Sequence, residues 1–150
     1  MAVALGVYGR AHTPRTDLVP DLRGKSWLAT AVLLLAVVQL LSALAVYGRL
    51  PLRGRWPAVV HRWSGRLAFL ASLPVAVDCL YLLGFQTGDP RVLAHSLLGC
   101  LFYGAFVTKM LVVSDPGDGP PWVLPVAGGL LFTAVTGVWL TSALWFFALG

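Results

Sequence analysis

The stretch SWLATAVLLLAVVQLLSALAVYG, residues 26–48, decides the fold, because it runs 23 residues without a charge. At about 1.5 Å rise per residue, a helix of that length crosses a hydrocarbon layer roughly 30 Å thick. Trp27 and Tyr47 bracket it as interfacial anchors would. The stretch therefore predicts a first transmembrane helix over 26–47. A rival reading is a secretory signal peptide with a cleavage-like Ala43-Leu44-Ala45. Both the polar segment before the run and the run itself are too long for that.

Working outward, residues 1–25 form the only sizeable polar segment. Pro14, Pro20 and several glycines oppose a long helix there, while Arg10, Arg15, Arg23 and Lys25 make it a basic, irregular tail. Beyond the first helix, Gly48 to Pro57 is a short loop with Arg49, Arg53 and Arg55. A second helix follows over 58–84, with Pro74 inside it expected to kink it and free the carbonyl of Leu70. Gly88-Asp89-Pro90 marks a turn, and a third helix covers 91–113. Ser114 to Pro121 is a second loop, and an uncharged fourth helix covers 122–148. Short connections force neighbouring helices to alternate in direction. The expected fold is all-α, an integral membrane antiparallel (up-down-up-down) four-helix bundle over 26–150 with the tail 1–25 attached.

Composition agrees. The chain has 150 residues, 58% of them hydrophobic and 11% charged, against about 25% charged in a soluble domain. Mean hydropathy is +0.80. One soluble core of this size cannot hide so much apolar surface, which excludes a soluble enzyme, a disordered tail and a disulfide scaffold. The expected location is the cell membrane, multi-pass, with the lipid bilayer as partner. The net charge of +5, with all six acids Asp, would suit nucleic acid only if the cations lined one soluble face. They fall between apolar runs, where they meet lipid headgroups, so no nucleic-acid partner is expected. Cation counts at the two membrane faces tie, and orientation stays open. Cys79 and Cys100 lie in apolar runs, and the absence of CxxCH excludes covalent c-type haem.

Polar groups at membrane depth are costly and are functional candidates by default. If the second and third helices form a hairpin turning near residue 87 or 88, residue i on one lies level with residue 175 − i on the other. Asp78 then stands near His95, and Arg66 level with Lys109. A hairpin of the first two helices turning near 52 or 53 puts Gln39 level with Arg66. Two polar clusters follow. One is His95 with Asp78, and with Tyr81 near. A contact between Asp78 and His95 would fix the imidazole tautomer, or merely lock the hairpin. The other holds His61, Arg62, Arg66, Gln39, Lys109 and Met110. Arg66 and Lys109 cannot share a dry layer unaided: either they snorkel outward, or an anion such as a lipid phosphate or a haem propionate lies between them. On the second helix, His61 is followed by a stripe of small residues through Gly65, Ala68 and Ser72. On the third, His95, Gly99, Phe102, Phe106 and Lys109 share a face. Such a stripe is either a packing seam or room for a flat cofactor. Gly129, Thr133, Gly137 and Thr141 on the fourth helix read as packing.

Two successive helices open with the same spacing, His61-Arg-Trp-Ser-Gly65 and His95-Ser-Leu-Leu-Gly99. This HxxxG opening resembles the helices of the transmembrane b-type cytochromes that include ascorbate-dependent ferric reductases. The whole chain also resembles small four-helix membrane proteins of actinobacteria, a family of unknown function. The cytochrome resemblance covers residues 58–113. It implies haem held by helix histidines, here His61 and His95, with Gly65 and Gly99 making room and Arg62, Arg66 and Lys109 answering propionates. That family supplies four histidines for two haems, whereas this chain has three, with His12 in the tail. Since His61 and His95 open helices of opposite direction, they do not bracket one haem. Met110 is a candidate sixth ligand to His61; a homodimer pairing each histidine with its twin, or a five-coordinate haem, are the others.

The expected function is thus a cytochrome-b-like membrane protein, binding b-type haem and passing electrons to a redox partner. The alternative is a non-catalytic membrane subunit or scaffold whose His, Asp and Arg groups only lock the bundle. A proton relay through Asp78 and His95 is a third idea, with little but depth behind it. Hydrolysis is unsupported, since GxSxG, HExxH and paired carboxylates are all missing.

Overall fold

The computed structural model describes residues 17–52, 54–115 and 120–149. Described residues form helices and no strand. α1 spans Leu22–Val46. α2 spans Trp56–Asp78 and runs on as a π-helical turn, Cys79–Leu83. α3 spans Pro90–Ser114. α4 spans Val123–Trp139 and continues through a π-helical turn, Leu140–Leu144, into α5, Trp145–Leu149. Counting each continuation with its helix, four helices are long and apolar enough to cross a membrane. His12 and the first sixteen residues of the expected tail, together with Arg53, lie outside the described residues.

Local chemistry sets the helix ends. α1 begins at Leu22, ahead of the uncharged run, because the Asp21 carboxylate caps it by accepting from the Arg23 N–H at 2.9 Å. Asp89 caps α3 by accepting from Arg91 and Val92 N–H groups, and Pro90 supplies a first residue that needs no donor. α2 continues through Pro74. It stops where Gly84 takes a φ of 67°, a backbone state that costs a residue with a Cβ.

The packing is inside-out by the standard of a soluble protein. The buried apolar residues are six alanines and two valines, joined by Ser26, Ser42 and Ser64, while large side chains such as Leu34, Leu67, Leu70 and Leu111 face outward. Small interior residues let backbones approach closely where no water drives burial. α1 packs most closely on α2, and α3 on α4, with α1 also against α4. At the α3–α4 seam, a Cβ on Gly137 would stand 2.6 Å from Leu98 Cδ1. α2 and α3 are held further apart by long side chains: Phe69 stacks on Phe106 at 4.1 Å, and the Ser72 hydroxyl bonds the Tyr103 hydroxyl at 2.9 Å. Both pairs stand at the level the hairpin relation expects.

Candidate histidine sites

His61 lies in the second turn of α2, against α1. Its Nδ1 is 3.2 Å from the Gln39 carbonyl and 3.1 Å from Ser42 Oγ. A carbonyl only accepts, and the Ser42 hydroxyl donates its own proton to the same carbonyl at 3.0 Å. The proton is therefore on Nδ1, and Nε2 keeps its lone pair. Gln39 completes the tether, donating from Nε2 to the His61 carbonyl and to Ser64 Oγ.

His95 repeats the pattern on another pair of helices. Its Nδ1 is 3.1 Å from Thr141 Oγ1, in the π-helical turn that follows α4. That hydroxyl also bonds the carbonyls of Gly137 and Val138, which suits a tautomer with the proton on Nδ1. The Thr141 carbonyl, within the π-turn, accepts from the Arg91 guanidinium at 2.6 Å. Arg91 also lies over the Trp145 ring at 4.3 Å. Single-turn π-bulges recur at functional sites for this reason, since they re-aim a side chain and expose a carbonyl.

The expected Asp78–His95 pair does not form. Asp78, at 2% exposure the most buried large polar side chain, faces α1. Its carboxylate accepts from the N–H groups of Leu18 and Val19 at 2.9 and 3.0 Å and meets Lys25 Nζ at 3.2 Å. Asp78 shares its stripe with Ser64 and Ala68, the other buried residues of α2. A full cation also outcompetes a neutral imidazole for a buried carboxylate. Lys25 was legible. The hairpin relation for the first two helices puts Asp78 opposite Trp27, half a turn from Lys25.

Of the other expected site residues, Gly65 makes no room for a cofactor, because a Cβ there would meet the Gln39 amide at 3.0 Å. It is a packing glycine that admits Gln39, and Gln39 accordingly meets His61, Ser64 and Gly65, not Arg66. Gly99 opens onto free space, with nothing within 4 Å of a Cβ. Arg62 and Arg66 are exposed, with Arg66 over the Trp63 ring at 5.2 Å. Met110 is 44% exposed on the outside of the bundle, while its neighbour Lys109 is half-buried. Tyr81 enters neither site among the described contacts. A groove of about 670 Å³ opens between α3 and α4 beside Cys100, Gly104 and Trp122, and neither histidine lines it. Among the described residues no three His, Cys, Asp or Glu side chains cluster as metal ligands.

Compared with known sequences, residues 1–149 match a family described as a family of unknown function (DUF6529). No curated protein and no solved structure matches the chain.

Proposed function

The chain belongs to the DUF6529 family of unknown function, and from that premise we propose that it is an integral membrane up-down-up-down bundle holding b-type haem through His61 and His95. One observation carries the reading. Each histidine has its Nδ1 within hydrogen-bond reach of a neighbouring helix, at the Gln39 carbonyl and Ser42 on one side and at Thr141 on the other, which suits a proton on Nδ1 and a free Nε2. That is the arrangement a metal-ligating imidazole needs, since the tether sets the tautomer and raises the basicity of the free nitrogen. Haem, when bound, supplies a reversible one-electron couple. The residues of this chain would hold and orient it: His61 and His95 would supply the ligating nitrogens, Gly99 opens onto free space beside His95, and Lys109 would offer charge to a propionate.

Each end of the bundle offers one histidine among the described residues. A haem held there would be five-coordinate, or would need a second copy to supply its other ligand. An absorption spectrum of the detergent-purified, haem-supplemented protein decides. A Soret band is expected, and each of His61→Ala and His95→Ala should lose about half of it. A colourless preparation, or one whose colour survives the double substitution, ends the proposal.

The second reading, a membrane subunit without a cofactor, is favoured by how fully polar groups are used as locks. Asp78 clasps Lys25, Ser72 meets Tyr103, and the Trp139 indole donates to Thr30 at 3.0 Å. On that reading the double histidine variant binds as little haem as the parent and differs only in stability.

A further inference from the structure

The two ends of the bundle treat their cations differently. Where α1 starts and α2 ends, Arg23 is exposed but two cations are answered. Lys25 sits between Asp78 and Asp17, and Arg91 is held by the Thr141 carbonyl and the Trp145 ring. At the other end, where α1 meets α2 and α3 meets α4, Arg49, Arg55, Arg62 and Arg66 are exposed and Lys109 is half-buried. None of the five pairs with a carboxylate among the described residues. The one described acid at that end, Asp115, is exposed at the close of α3.

The same end carries three outward tryptophans, Trp56, Trp63 and Trp122, the residues that settle at headgroup depth. Directly along α2 from Arg62 and Arg66, Leu67 and Leu70 also face outward. A single molecule that satisfies such a surface has a phosphate for the guanidinium groups and an acyl chain for the leucines. We propose that this end of the molecule is a binding surface for an acidic phospholipid, its phosphate held by Arg62 and Arg66. The surface rests on the membrane reading above and is independent of haem. Charge complementarity argues for the occupant, because a zwitterionic headgroup leaves the excess of positive charge unanswered.

The test is native mass spectrometry of the full-length protein released from mixed micelles holding phosphatidylglycerol and phosphatidylcholine at equal mole fraction. The phosphatidylglycerol-bound species should exceed the phosphatidylcholine-bound species by on the order of tenfold, from a few-fold per cation near a membrane surface. The double variant R62Q/R66Q, at exposed positions that leave the fold intact, should lose most of that preference. R23Q, at the opposite end, should keep it. Equal retention of the two lipids, or a preference that survives R62Q/R66Q, overturns the proposal. Displacement of phosphatidylglycerol by millimolar inorganic phosphate marks a free-anion site and overturns the lipid assignment. A chain that stays in solution without detergent and retains neither lipid overturns the membrane reading itself, and the surface with it.

Discussion

Asp78 is the residue on which the N-terminal half of the molecule closes. Its carboxylate binds a helix-1 lysine and two backbone N–H groups of the segment that precedes α1. Lys25 is only 17% exposed there, and its other carboxylate, Asp17, is more distant at 3.7 Å, so removing Asp78 leaves a desolvated cation stranded beside its weaker partner. Breaking such a pair on one side costs about 3–5 kcal/mol. We expect Asp78→Asn to lower the unfolding free energy in detergent by about 3 kcal/mol and to speed hydrogen exchange at Leu18 and Val19. Adding Lys25→Met should restore part of that loss, because the stranded charge goes with it; a double variant no better than the single one refutes the account. At Gly137 the constraint is volume. A side chain there runs into Leu98, so Gly137→Val should cost about 1–3 kcal/mol by forcing α3 and α4 apart, read from the same unfolding curve.

At the scale of elements, the π-turns carry information that periodicity does not. The turn Leu140–Leu144 presents Thr141 to His95 with its hydroxyl and to Arg91 with its carbonyl. Thr141→Val keeps the shape and removes the acceptor. It should leave the helix in place, cost about 1–2 kcal/mol for the unsatisfied Nδ1–H, and release the His95 tautomer. Nitrogen-15 NMR of the imidazole reads that change directly, and an unaltered tautomer counts against the tether. The α2–α3 pairing shows what a sequence does reveal about elements. Phe69 with Phe106, and Ser72 with Tyr103, stand where helix rise and a turn near residue 87 or 88 put them. Levels follow from local geometry, since each residue adds the same rise.

At the scale of the whole molecule, the decisive feature is a small-residue interior beneath a large-residue exterior. A water-soluble bundle buries its leucines and keeps its alanines for the margins; this one does the reverse, which suits a solvent of acyl chains. The membrane reading predicts that the protein stays in the pellet after alkaline carbonate washing and leaves it only with detergent. Recovery in the wash as a monodisperse soluble species contradicts that reading.

Four long apolar helices were legible from the chain alone, because each depends on runs of neighbouring residues and their caps. The two histidines were legible too, as costly groups in apolar runs. Their surroundings were not. The run 26–48 is apolar on almost every side, so its pattern says little about which face meets α2 or α4. Azimuth, and with it the choice of partner, was decided by contacts between distant segments: Lys25 drew Asp78 toward α1, Gln39 filled the space at Gly65, and Thr141 claimed His95. Those contacts depend on how closely two backbones approach and on which charge reaches a buried carboxylate first. Neither quantity is stored in a local stretch of sequence.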